Sequence, residues 1–259
     1  MMEKKAYKTV IIGVIIYVLL MTVIFLPIYL KNRREKLYIL SGDFIKIKYE
    51  KGSWKNITKS DDYKLKDFEV YEADNYKGKY RILFTNRFYL YDSNGQSVPY
   101  ENKLFAYSGT LKLGITDITS TEMSENDKSI IQRALAKDNI TSFNQLNLFQ
   151  KVSVDTDKDG VVENVYAASN FYTDEALDKV FSIVFIEKNN TITILKKNII
   201  SSEKIYDEPS YEINKVIDVR DDKKYEIMIE QSYYSRPEDS CILLYKLYGN
   251  KKLIKNLCD

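Results

Sequence analysis

Apolar residues fall along this chain in two patterns, one unbroken run and then a long stretch of alternation. The run is Val10 to Leu30, 21 residues without a charge. At 1.5 Å per helical residue it extends about 31 Å, the thickness of a bilayer's hydrocarbon core. A cleavable signal peptide has a shorter apolar region, about 7–15 residues, and an A-x-A-like end, and neither is found here. The reading is an uncleaved transmembrane anchor over 10–30, between a cytoplasmic tail (1–9) and a basic juxtamembrane linker (31–37). Pro27 lies near the exit end of the span, where a lost backbone hydrogen bond is tolerated.

The alternation begins with Ile45, Ile47 and Tyr49, set between Lys46, Lys48 and Glu50, the period-2 signature of a half-buried strand. Phe68-Glu69-Val70, Tyr80 to Phe84 and Phe88 to Tyr91 continue it. The last of these leads into Asn94-Gly95, the dipeptide most favoured in a two-residue hairpin turn, with Val98 and Tyr100 on the returning strand. Residues 38–118 therefore read as a β-rich subdomain in which Trp54 is a core plug. Over 119–150 the spacing turns helical. Ser124 stands three residues before Asp127 as a helix start, and Ile130, Ile131, Ala134 and Leu135 form an apolar face. Phe143, Leu146, Leu148 and Phe149 fit either a second helical turn or an extended pass out of this connector.

Residues 151–259 open on the chain's densest chemistry, Asp155-Thr156-Asp157-Lys158-Asp159-Gly160-Val161-Val162-Glu163. Carboxylates at positions 1, 3 and 5 of a tight loop converge their oxygens and repel one another unless a hard cation takes them as ligands. Gly160 at position 6 lets the backbone turn back. An EF-hand would need a glutamate at position 12, where Tyr166 stands, and the flanks Val152, Val154, Val165 and Tyr166 are of β type. The pattern D-x-D-x-D-G-x-x-[D/E] between apolar strands resembles the calcium loops of FG-GAP and VCBS repeats, known from integrin-like β-propellers. That local resemblance implies calcium held by Asp155, Asp157, Asp159, the Val161 carbonyl and Glu163.

A second, degenerate copy follows. Asp218 and Glu226 repeat the spacing of Asp155 and Glu163 at an offset of 63 residues, but Arg220 and Lys223 replace an aspartate and the glycine. Arg220 is expected to neutralise Asp218, Asp222 or Glu226 in place of a metal. Each loop is followed by a strand pair, one turning at Asn189-Asn190 and the other at Gly249-Asn250. Two such units are too few to close a propeller. The expected fold is mainly β with one or two short helices (α+β): the transmembrane helix, then twisted antiparallel sheets carrying incomplete propeller-like repeats, one face covered by the helix near Ile130. Counting outward from a two-residue turn at Gly249-Asn250 sets Cys241 opposite Cys258 at a position close enough for a disulfide. The alternatives are two thiols in a reducing compartment or a one-residue slip at the turn.

Charge and composition narrow the function. Lys4, Lys5 and Lys8 precede the span and Lys31, Arg33, Arg34 and Lys36 follow it, so flanking charge does not orient it. The calcium loop and the cysteine pair favour an extracytoplasmic C-terminal part; the opposite orientation makes Arg33 and Arg34 cytoplasmic stops. Residues 37–259 carry 32 Lys/Arg against 35 Asp/Glu, a mildly acidic body with no basic footprint for nucleic acid. The Lys-, Asn-, Ile- and Tyr-rich usage fits an AT-rich bacterial coding sequence. No histidine occurs, which removes Ser-His and Cys-His nucleophiles and His-based zinc sites. Ser201-x-x-Lys204 lacks the K-T-G and S-D-N elements of the penicillin-binding enzymes. Glu226 and Glu230 on one strand face read as solvent-facing charges before they read as a glycosidase pair. The expectation is a membrane-tethered, extracytoplasmic, calcium-stabilised binding or structural module facing a cell-surface protein or polysaccharide. The alternative is an extracytoplasmic hydrolase using carboxylates or Ser/Lys. Tyr233, Tyr234, Tyr245 and Tyr248 are expected near the last hairpin, either as sheet-forming aromatics or as a platform for such a partner.

Overall fold

The computed structural model describes residues 36–41, 45–57, 66–72, 75–84, 88–99, 104–111, 113–116, 118, 122–171, 179–201, 207–219 and 223–258, together with Val14, Tyr17, Met21, Thr22, Val23 and Phe25. These last six positions of the expected anchor are helical and exposed. Among the described residues no helix is long and apolar enough to cross a membrane.

Among the described residues, period-2 sequence becomes three antiparallel sheets. The first runs in the order β3-β2-β1-β8-β4-β5-β6-β7, from β1 (Lys36–Ser41), β2 (Ile45–Glu50), β3 (Ser53–Asn56), β4 (Lys66–Glu72), β5 (Asn75–Phe84), β6 (Phe88–Tyr91), β7 (Ser97–Val98) and β8 (Leu104–Gly109). β9 (Leu113–Thr116) leaves the 38–118 stretch and pairs with β14 (Ser210–Val219). The second sheet is a meander of β10 (Leu148–Val154), β11 (Glu163–Ser169), β12 (Lys179–Lys188) and β13 (Thr191–Ser201). The third continues from β14 through β15 (Tyr225–Ser232), β16 (Cys241–Lys246) and β17 (Lys252–Asn256), with β9 on its other edge.

The third sheet is the middle layer. Ile242 and Leu244 of β16 join Leu37, Ile39, Trp54 and Phe105 of the first sheet, while Leu243 and Tyr245 join Val152, Val165 and Val184 of the second. Alternate residues of one strand thus bury against two partners, each large apolar side chain contributing about 1.5–3 kcal/mol. The outer face of the second sheet, with Tyr166, Phe181 and Phe185, is covered by α1 (Glu125–Leu135) through Ile130, Ile131, Ala134 and Leu135. The first sheet curls, so that Ile57 beyond β3 and Val98 in β7 pack on one cluster around Phe68 and Ile82. Among the described residues none of the sheets closes into a barrel or propeller; the β class with short helices and the helix-covered face are as the sequence indicated.

Local details follow local chemistry. Ser124 caps α1 in a capping box with Asp127. Phe143 to Phe149 takes the extended option, Phe143 buried against Phe181 and Leu148 opening β10. The turn at Asn189-Asn190 is two residues long, both in the left-handed region (φ 48° and 64°). At Asn94-Gly95 the structure differs from expectation. Tyr91 pairs with Ser97, and Asp92 Oδ1 accepts from the amides of Asn94 and Gln96, both at 2.8 Å. This side-chain bridge holds a three-residue turn, Ser93 to Gly95, in place of a two-residue one; Tyr100 lies outside the described residues.

The two loop-bearing hairpins share one register. Val152 pairs with Val165 and Val154 with Glu163; 63 residues on, Lys215 pairs with Met228 and Ile217 with Glu226. β14 carries a bulge at Asn214 between the Ile213 and Lys215 pairings. The Asn214 side chain bridges two sheets, accepting from Ser41 Oγ and donating to Glu230, both at 2.9 Å.

Candidate metal centre

β10 and β11 bring the acidic loop to one end of the second sheet. Gly160 sits at φ 84°, in the left-handed region that position 6 requires, and Lys158 at φ 64°. Asp155 serves the loop itself: its Oδ1 accepts from the Lys158 amide at 2.7 Å and its Oδ2 from the Gly160 amide at 3.0 Å. Asp159 Oδ1 accepts from the Val161 amide at 2.8 Å. Glu163 is wholly buried, and its Oε2 takes the amide of the equally buried Thr156 at 2.6 Å. Oxygens of Asp155, Asp157 and Asp159 lie within 4.8 Å of one another. The structure thus gathers the expected carboxylates at one place.

A residue missing from the sequence reading stands among them. Lys188, the last residue of β12, puts its Nζ 2.8 Å from both oxygens of Asp157, 2.8 Å from Asp159 Oδ2 and 2.5 Å from Glu163 Oε1. Among the described residues, Glu163 Oε1 has no partner besides that ammonium. Hydrogen bonds to Asp157, Asp159 and Glu163 push the Lys188 pKa up, outweighing its desolvation. The bond from Lys188 is the largest influence lowering that of Asp159. The strand register, which the structure supplies, accounts for its place. Asn164 pairs with Glu187, so one step further Glu163 faces Lys188, an opposite-charge cross-strand pair. The donor set is the hard-oxygen kind calcium takes. Fit to the ion is conditional, because Lys188 Nζ and a cation draw on the same three carboxylates.

At its described residues the second loop repeats one bond of the first. Asp218 is buried and its Oδ2 accepts from the Lys223 amide at 2.6 Å, with Lys223 at φ 60°, as Asp155 does for Gly160. Arg220, the expected neutralising cation, lies outside the described residues, as does Lys204. Glu226 and Glu230 are half-buried, on the side of the third sheet that meets the first, where the sequence suggested charges facing solvent. Glu226 Oε2 accepts from Trp54 Nε1 at 3.0 Å, and Glu230 takes the Asn214 amide. Strand alternation set their common side; the first sheet covers it.

Cys241 and Cys258 form a disulfide with Cα atoms 4.9 Å apart. The connection between β16 and β17 is longer than two residues, Lys246 pairing with Lys252, and a bulge at Ile254 between the Tyr245 and Leu244 pairings restores the facing expected. Beside the disulfide lies a cleft of about 440 Å³ lined by Gln231, Tyr233, Arg236 and Ser240 among others. The Arg236 guanidinium sits 4.8 Å from the Tyr233 ring centre, and Gln231 Nε2 donates to the Tyr233 hydroxyl at 2.8 Å. Tyr234 is exposed, whereas Tyr245 is buried in the core and Tyr248 lies under Lys246. No protein-family model, curated protein or solved structure matches this chain.

Proposed function

We propose that the chain is a membrane-tethered, extracytoplasmic binding or structural module, braced at its β10–β11 loop by calcium. The observation that carries this reading is the Cys241–Cys258 disulfide, since such bonds persist outside reducing compartments. The uncharged Val10 to Leu30 run supports the tether. The converging oxygens of Asp155, Asp157 and Asp159, with buried Glu163 beside them, support the ion. The cleft at Tyr233 and Arg236 is the concave surface offered to a cell-surface protein or polysaccharide, with an aromatic ring for stacking and polar groups at its rim.

Two measurements test it. Protease added to intact cells should cut the C-terminal body, and a body left whole while a cytoplasmic control is also spared would reverse the sidedness. The full chain, purified in detergent, should melt at a higher temperature in millimolar calcium than in chelator; coincident melts would remove the ion.

A further inference from the structure

We infer that Lys188 is the loop's resident counter-ion: its ammonium holds Asp157, Asp159 and Glu163 together without metal, and calcium gains those oxygens only by expelling it. Three carboxylates within reach of one another repel, the more so where Glu163 is withdrawn from water. Lys188 answers all three at once, at 2.8, 2.8 and 2.5 Å. Its position does not depend on the acidic loop. It ends β12 at the mouth of the tight Asn189-Asn190 turn, and that turn is fixed by its own bond, Asn190 N–H to Glu187 Oε1 at 2.8 Å. The side chain is 19% exposed, so its ammonium has a route to solvent when displaced. A flexible four-carbon stem permits that movement. The consequence is a site of weakened divalent affinity, in the direction of extracellular calcium modules, whose dissociation constants are about 10⁻⁴–10⁻³ M.

The second half of this inference rests on the calcium reading; the first half does not. Lys188→Met keeps an unbranched side chain one atom shorter and removes the charge. The full chain and this variant are melted in detergent with chelator and with millimolar calcium, and calcium affinity is measured for both by titration calorimetry. In chelator the variant should melt lower by roughly 4 °C or more. Calcium should restore it and raise it further than it raises the parent, with an affinity about tenfold tighter or better. Equal melting in chelator would overturn the counter-ion role. Equal calcium affinity in parent and variant would overturn the competition. A variant that falls in chelator and stays low in calcium keeps Lys188 as the brace and removes calcium from the site. If Lys188→Met does not fold, Asp157→Asn reads the same pairing. Losing a doubly bonded partner of Nζ should lower the melt in chelator, and an unchanged melt would overturn the role.

Discussion

Substituting Asp127 should unlock the helix from the second sheet, and the effect should depend on pH in a defined direction. Asp127 is 5% exposed and accepts from Ser124 Oγ at 2.6 Å, Lys151 Nζ at 2.9 Å and the hydroxyl of buried Tyr166 at 2.9 Å. Burial by itself raises this carboxyl's pKa, but the bonds from Ser124, Lys151 and Tyr166 outweigh it and bring the group from 3.8 down to about 2. At about 1.4 kcal/mol per unit, the depression corresponds to about 2 kcal/mol of folding stability. A depressed carboxyl stabilises fully above its unfolded value, near pH 4, and the contribution is lost as pH falls toward about 2. Asp127→Asn should therefore lower stability by about 2 kcal/mol at neutral pH, or roughly 4–8 °C in melting temperature. Asp127→Ala should cost about 1 kcal/mol more, from the lost cap and the Tyr166 hydroxyl left without an acceptor. Thermal melts followed by circular dichroism at pH 7, 4 and 2.5 give the readout: the gap between parent and Asp127→Asn should narrow at the acid end. A gap that is constant across this range, or below about 0.5 kcal/mol throughout, would refute the reasoning.

Cys258→Ser opens a loop with a sequence separation of 17 and should lower stability by about 3 kcal/mol. Comparing melts of parent and variant with and without reductant checks this, since reductant should affect only the parent. Trp54 is the chain's single tryptophan and is buried between the first and third sheets with its indole N–H on Glu226. Its fluorescence should therefore report separation of those layers during urea unfolding. Trp54→Phe should lower stability by about 1–2 kcal/mol by leaving Glu226 short of a donor; no change would place the Glu226 bond among those replaced by water.

The legible parts of this protein were those whose causes lie within a few residues. The Ser124 cap, the Asn189-Asn190 turn, the left-handed Gly160 and the period-2 strands each depend on backbone preferences and hydrogen bonds between near neighbours. The Asn94-Gly95 turn departed from expectation because Asp92, just outside the dipeptide, offered competing bonds to two amides. The facing of Cys241 and Cys258 survived a longer turn because the bulge at Ile254 compensated it.

Sequence alone determined that this chain forms antiparallel strands with one capped helix, gathers an acidic loop at Asp155 to Glu163, and carries one uncharged run long enough to span a bilayer. Only the tertiary structure decided which faces those strands bury: that the third sheet is the middle layer, that β9 joins it, and that Glu226 meets Trp54 from 172 residues away. It also decided that Lys188 enters the carboxylate cluster, through pairing of β11 with β12. The reason is physical: hydrogen bonds between neighbours in sequence form from local geometry, whereas contacts between distant strands depend on layer order and register, which are set by the burial of the whole apolar surface at once.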